Sequence, residues 1–352
     1  MSTDQLTRTA SRGTGPRASV DRVRGYLGRV DRRFLPVLGT VLTLLLMLGV
    51  GQSRYSTDRA SFLSMKLLSN LLVDNSYLLV LAVGMTFVIL QGGIDLSVGA
   101  VVALVGLATA KLFTAGLPLP VVLVVGVLIG TSCGLLIGVM VQVFDIQPFI
   151  ASLAVMFLAR GLANVVSTNS LAIDDPGFSA LAAWSLKFGE GRGLWRINAS
   201  MLIALAVLLV AVYLLHYTRF GRTVYGLGAG DRGAAVTLMG LKPARTRVWV
   251  YVISGTCAGI AGILFALYTK SGFNLTGIGM ELDAIAAVVI GGTLLSGGVG
   301  FVLGTGAGVL VYGLIQVLIA REGLDSWWTR VFIGAVLLAF VMLQRVVSVR
   351  RR

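Results

Sequence analysis

Charged side chains are scarce in this sequence: Lys, Arg, Asp and Glu together make up 12% of its 352 residues. Soluble globular domains carry about twice that share to keep their surfaces wetted, so a soluble fold is excluded. Histidine occurs once and cysteine twice. Cys133 and Cys257 lie inside apolar runs, without a metal-ligand neighbour and at no zinc or redox spacing. His216 stands at the end of an apolar run beside Tyr217 and Arg219, which suits an interfacial side chain better than a catalytic base. The phosphate-binding pattern G-x-x-x-x-G-K-[ST] is missing, and no Gly-Lys pair occurs anywhere. With no metal set and no nucleophile–His–acid arrangement either, an intramembrane enzyme is disfavoured. If ATP drives this protein, another chain hydrolyses it.

What the chain has in excess is apolar and small. Hydrophobic residues reach 56%, with 45 glycines against 7 prolines, and mean hydropathy is +0.90. Apolar bulk of this order faces lipid or other buried helices, and small residues let membrane helices approach closely. The net charge of +14 would suggest nucleic acid in a soluble protein, but its placement points to a membrane instead. Eight arginines, Arg8 to Arg33, precede the first apolar run. Six cations (Arg219, Arg222, Arg232, Lys242, Arg245, Arg247) share one polar segment, and Arg345, Arg350, Arg351 and Arg352 end the sequence. Cations on alternate loops mark a cytoplasmic face, so no nucleic acid is expected.

A spanning helix needs about 20 mainly apolar residues. Ten segments qualify, near 34–51, 70–91, 96–115, 119–143, 147–167, 199–217, 247–270, 282–295, 299–320 and 327–345. The eighth is short enough to be a half-helix. An even count puts both termini and all three basic clusters on one side, the cytoplasmic side. The expected organisation is therefore an all-α polytopic membrane protein. Residues 1–33 form a disordered, Arg-rich cytoplasmic extension and residues 34–345 the membrane domain, with 346–352 as a basic tail. Residues 167–198 are the external loop, whose mixed charges and aromatics suit a short amphipathic interfacial helix.

Two stretches interrupt the apolar runs with glycine: VILQGGIDLSVG at 88–99 and VVIGGTLLSGGVG at 288–300. Aligning Gly92-Gly93 with Gly291-Gly292 superposes Leu96 on Leu295 and Ser97 on Ser296, a candidate internal repeat; chance matching of Gly-rich helices is the alternative. Gly-interrupted segments in corresponding places of two halves point to a transport site. Asp95 beside the first break is either a costly functional carboxylate or an N-cap for a helix starting at Leu96. Glu281 and Asp283, ahead of the eighth run, pose the same choice. Arg160, deep within a span, can pair with a carboxylate or snorkel outward.

The polar segment 218–247 is the longest cytoplasmic connection. Gly233 to Leu241 suits a short helix ended by Lys242-Pro243, with Val236, Leu238, Met239 and Leu241 as apolar knobs for a partner's groove.

The stretches VGMTFVILQGGIDLSVGA, GRTVYGLGAGDRGAAVTLMGLK and LDAIAAVVIGGTLLSGGVGFVLGT resemble the permease subunits of ribose-type bacterial ABC sugar importers. DIQPFIASLAVMFLARGLANVVS and LDSWWTRVFIGAVLLAF look like the galactofuranose-type branch, in which two different permeases pair. The resemblance runs from about residue 34 onward; the Arg-rich N-terminus departs from it. It implies a second permease chain, paralogous or identical, two cytoplasmic ATPase subunits holding ATP and magnesium, and a periplasmic sugar-binding protein. This chain would bind no cofactor of its own. Segment 218–247 would be the ATPase-coupling loop, resting on Gly228, Asp231, Ala234, Ala235, Leu238, Met239, Gly240 and Lys242, although no Glu precedes Ala234-Ala235 as in other importer classes.

A neutral, hydroxyl-rich sugar needs hydrogen-bonding side chains and few charges along its path. Asn75, Thr86, Gln91, Gln147, Phe149, Ser152 and Asn164 offer such groups and an aromatic face on spans two and five; Asp95, Ser97, Thr293 and Ser296 lie at the breaks. The rival reading is an ion-coupled secondary transporter of a small polar solute. It would need coupling sites near the midplane, where Asp95 and Arg160 are the available charges.

Overall fold

Lipid offers a peptide group no hydrogen bond, so apolar runs fold as helices that pair their own backbone. A computed structural model of the chain describes residues 35–56, 61–191, 194–230, 234–325 and 327–349. The expected extension 1–33 and the last three residues of the basic tail lie outside the described residues. Helix α1 (Leu35–Tyr55) leads to a bent pair, α2 (Met65–Asp74) and α3 (Ser76–Leu90), and then to α4 (Val98–Thr114), α5 (Leu119–Val143) and α6 (Pro148–Val166). After an external segment come α8 (Ala199–Tyr217), α9 (Arg219–Gly228), α10 (Ala234–Leu238) and α11 (Pro243–Thr269). Helices α12 (Met280–Ile290), α13 (Val302–Arg321) and α14 (Trp327–Val349) complete the order.

The expected count of ten spans is not reproduced. Among the described residues six helices are long and apolar enough to cross, or seven if α2 and α3, bent by 58°, make one span. At 1.5 Å per residue α4 reaches about 25 Å and α12 about 16 Å, short of a hydrocarbon core of roughly 30 Å. The glycine breaks take residues that straight spans would use, and α12 is the half-helix that segment eight suggested. Helix α14 runs on to Val349, past the expected domain end at 345. The molecule is a multi-pass, mainly helical membrane protein.

The centre is α3 with α11. Helix α3 is apolar on every side and buried along all but one of its residues, which marks an interior helix. Helix α11 packs against α3, α4 and α5. Its seam with α5 is glycine on both sides. A Cβ added at Gly130 would stand 2.3 Å from the Gly255 carbonyl oxygen, and one at Gly134 would stand 2.2 Å from that of Tyr251. Backbones thus touch where side chains would hold them apart. The outer faces of α1, α5 and α6 show large apolar side chains such as Leu45, Leu128 and Phe157, as lipid-facing surfaces do.

Segment 167–198 departs from a purely helical expectation. Strand β1 (Leu171–Ala172) precedes α7 (Pro176–Ala183), which Asp175 caps by accepting from the Phe178 N–H at 2.8 Å, with Pro176 preset at its first position. A hairpin of β2 (Ser185–Phe188) and β3 (Trp195–Asn198) follows that short helix. Alternating LKF and WRI favour strand pairing over a longer helix. Strand β1 pairs with β4 (Ser271–Gly272). On this face Glu322 accepts from Arg54 and Tyr55, and those hydrogen bonds hold its carboxyl below the usual range.

Candidate functional site

Both glycine breaks begin with the same cap. After α3, the Gly92 N–H donates to the Ile89 carbonyl and the Gly93 N–H to that of Val88, each at 2.9 Å. After α12, Gly292 donates to Val289 at 2.9 Å and Thr293 to Val288 at 3.2 Å. Gly92 and Gly292 carry φ values of +89° and +93°. This is the Schellman arrangement, in which a left-handed glycine lets the chain turn back on the last helical carbonyls. The matching pairs are thus Leu90 with Ile290 and Gly92 with Gly292, one residue out of register with the alignment on adjacent glycines. Superposition of Ser97 on Ser296 is lost: Ser97 is buried, Ser296 exposed.

The two breaks meet. The Gly298 N–H donates to the Leu90 carbonyl at 2.8 Å, and Gly297 lies against Gly92, where a Cβ would be 2.9 Å from the Gly92 nitrogen. The end of α9 closes onto both. A Cβ on Gly228 would fall 2.0 Å from the Leu90 carbonyl oxygen and 2.2 Å from the Gly298 nitrogen. The Tyr225 hydroxyl donates to the Gly300 carbonyl at 2.8 Å. Burial pushes that phenol up to about 12, so it stays protonated and able to donate at neutral pH.

Asp95 is fully buried. Its Oδ1 accepts from the Ser97 N–H at 2.9 Å and the Ser97 hydroxyl at 2.7 Å, and its Oδ2 from the Ser254 hydroxyl of α11 at 2.8 Å. Helix α4 starts at Val98, two residues later than the expected Leu96, with Ser97 as its cap residue, so Asp95 braces the turn two residues ahead of that cap. Asn offers an equivalent acceptor for Ser97, whereas Leu strands three donors. Asp95→Asn is expected to keep thermal stability in detergent close to the parent, and Asp95→Leu to lose about 1–3 kcal/mol for each stranded group. Loss of transport in both variants at unchanged stability would show instead that the charge is required.

The other path candidates separate into three groups. Gln91, Gln147 and Ser296 line one cavity of about 550 Å³ with Asp145, Arg247, Tyr251 and Gly228. Phe149 and Asn164 lie exposed on α6, and Asn164 accepts from the Asn274 amide at 2.5 Å. Asn75, Thr86, Ser152 and Thr293 are buried. Asn75 donates to Leu71, Thr86 to Ala82 and Ser152 to Phe149, each on its own or the adjoining helix. Thr86 also meets Thr305 at 2.8 Å. Arg160 takes neither expected course. Its Nη1 donates to the Asn274 and Thr276 carbonyls, satisfying the non-helical segment between β4 and α12. Glu281 and Asp283 fall in the first turn of α12.

In the 218–247 segment the helix expected over Gly233–Leu241 is shorter. Helix α10 ends at Leu238 in another glycine cap, Gly240 at φ +70°. Pro243 does not end it but opens α11 as its first residue. Val236 is buried against Gly226, whereas Leu238 and Met239 are 90% and 75% exposed and Lys242 is exposed. Ala234 and Ala235 begin α10. Asp231 lies outside the described residues. Gly228 belongs to the contact with the breaks rather than to the exposed knobs. Tyr225, Arg247 and Tyr251 were missed as site residues: their sequence context carries no glycine break, and only the fold brings them to one.

Fold and site together define a multi-pass membrane permease, with an exposed basic loop joined to two broken helices. The chain belongs to the family described as branched-chain amino acid transport system / permease component, which matches residues 67–341. The inner membrane ABC transporter permease protein YjfF of Escherichia coli strain K12 is 44% identical over 90% of this chain and 94% of its own. The fructose import permease protein FruG of Bifidobacterium longum is 41% identical over 91% of this chain and 93% of its own. The ribose import permease protein RbsC of Escherichia coli strain K12 is 36% identical over 86% and 92%, in keeping with the ribose-type resemblance. No solved structure matches the chain. Permease subunits of this family are not catalytic.

Proposed function

We propose that the chain is one permease subunit of an ATP-driven importer that carries a monosaccharide, of the galactofuranose or ribose kind, across the bacterial inner membrane. The observation that carries this reading is the junction at Gly228, where α9 touches both helix breaks at once. A loop that bears on both interruptions of the membrane domain is placed to move them together. Leu238 and Met239 form the docking knob for a cytoplasmic ATPase subunit, which holds the ATP and magnesium. A second permease chain, paralogous in the galactofuranose-type branch, supplies the other wall of the path. A periplasmic binding protein delivers sugar to the opposite face, where the β2–β3 hairpin lies.

Chemistry favours a sugar over an ion or an amino acid. Gln91, Gln147 and Ser296 are neutral groups that donate and accept, as sugar hydroxyls do. Asp95, the midplane carboxylate an ion-coupled carrier would need, already accepts three hydrogen bonds. Alternating access would come from rocking of the two permeases as the ATPases close.

Deleting the chain from its host should abolish uptake of one monosaccharide in a panel of labelled pentoses and hexoses, with uptake restored by the chain supplied in trans. Unchanged uptake of every sugar, with loss of leucine or valine uptake, would overturn the sugar assignment.

A further inference from the structure

The cavity of about 550 Å³ is bounded by three elements that a static packing void would not need to combine: the first break, the second break and the end of α9. Gln91 stands at the C-cap of α3, Ser296 within the second break and Gly228 at the last position of α9. Gln147 comes from the start of α6, and Arg247 and Tyr251 from the first turns of α11. Gln91 and Tyr251 form its innermost polar pair: the Tyr251 hydroxyl lies within hydrogen-bonding reach of the Gln91 side chain, while Gln91 Oε1, shielded from solvent, has no protein partner. Tyr251 is fully buried, with its hydroxyl held against the backbone of Gly93, where a Cβ would come within 2.4 Å of it. Buried polar atoms are rarely left unpartnered, and a turn of the Gln91 amide toward the cavity offers that oxygen to a hydroxyl that enters.

The chemistry of the lining narrows what enters. Two amides, a serine hydroxyl and a phenol present donors and acceptors without charge. Asp145 and Arg247 line the same space with one charge of each sign, so the wall carries no net charge to select an ion. The volume is many times the share of one water in the liquid, about 30 Å³. It also falls within the range of small-molecule sites, roughly 300–1,000 Å³. A neutral polyol satisfies such a lining because each of its hydroxyls both donates and accepts.

We infer that this cavity is a holding site for one monosaccharide at the basic-loop end of the path, with Gln91 and Tyr251 as its buried hydrogen-bonding groups and α9 as its movable wall. The inference rests on the sugar-import reading above. It adds that the last residence of the sugar lies within this chain, between the two breaks. Because Gly228 lines the cavity and also abuts Leu90 and Gly298, any displacement of α9 changes the cavity and the junction of the breaks together. Sugar occupancy and the position of the coupling loop are therefore linked.

Ser296 is exposed on the cavity wall and offers a reporter. The test uses the purified transporter, permease chains and ATPase subunits together, in which this chain carries Cys133→Ala and Ser296→Cys. Cys257 is buried and stays in place, and the same chain without the Ser296 change gives the background. The probe is the monosaccharide whose uptake the chain supports, and the readout is the rate of modification of the new thiol by a charged maleimide. At ten times its dissociation constant the sugar is expected to slow labelling about tenfold. Adding Gln91→Leu and Tyr251→Phe should remove the protection while the labelling rate without sugar persists, which shows that the site is still formed and open. If the Ser296→Cys transporter imports sugar but its labelling is indifferent to sugar at every concentration, the cavity holds water only and the inference fails while the import reading stands. If no sugar is imported by the unmodified transporter either, both fail.

Discussion

Replacing Leu238 and Met239 together by Asp is expected to abolish sugar-stimulated ATP hydrolysis while the chain still inserts and folds. The two side chains are 90% and 75% exposed, so their loss removes nothing from the interior. Val236, the residue that seats α10 against Gly226, is untouched. A knob that fills a partner's groove buries most of two large apolar side chains, worth about 1.5–3 kcal/mol each. Putting carboxylates there removes that gain and forces two charges into an apolar seat, which costs several kcal/mol more unless they are paired. Together these exceed what a reversible docking contact can lose and still hold. The consequence reaches the membrane through α9, because Tyr225 holds Gly300 and Gly228 abuts Leu90 and Gly298. Stimulated hydrolysis at the parent's rate, in a variant of normal expression, would place the docking elsewhere.

The second large effect is structural. Gly134→Val should prevent accumulation of folded chain, whereas Gly49→Ala should be neutral. At Gly134 even the first added carbon would lie 2.2 Å from the Tyr251 carbonyl oxygen and 3.0 Å from the Gly255 Cα, both backbone atoms that cannot rotate aside. Relief requires α5 and α11 to separate along a seam that also holds Gly130 and Gly255. Overpacking of a core costs typically 1–3 kcal/mol when side chains can shift, and here only whole helices can. At Gly49 nothing stands within 4 Å of the new carbon. Fluorescence-detected size exclusion of tagged chains in detergent would compare them: a monodisperse peak for the parent and Gly49→Ala, aggregate or loss for Gly134→Val. A normal peak for Gly134→Val would mean that the seam is looser than its glycines imply.

How much of this was legible beforehand depends on what carried the signal. Apolar bulk and the placement of cations told of a membrane domain and a basic loop, because lipid and charge act on composition over whole segments. The breaks were legible as glycine, but their register was not. Residue identity matched Gly92 with Gly291, whereas the cap needs the left-handed residue, which is Gly292. The count of ten spans is not confirmed, because hydropathy does not see where a helix stops within an apolar run, as α3 and α12 do at Leu90 and Ile290.

Of the polar residues in spans read as path, Asn75 and Thr86 turn back on nearby helical carbonyls, and Ser152 reaches both Phe149 and Ile94 of the first break. Short polar side chains have that option on any helix, and pattern alone does not reveal which of them take it. Gly126, Gly130, Gly134 and Gly138 recur every fourth residue on α5. That stripe was present in the sequence and was passed over in favour of the breaks. Tyr251 had no local signal at all, since its importance comes from facing Gly93 across the fold.

The central claim is that this chain is the passive half of an ATP-driven sugar importer, worked through its basic loop. Uptake of labelled sugar into proteoliposomes tests it most directly, with the assembled transporter, the binding protein and sugar outside the loop face, ATP on the loop face, and ionophores present to collapse every ion gradient. The account predicts uptake that needs ATP and is indifferent to the ionophores. Uptake that persists without ATP and disappears with the ionophores would contradict it.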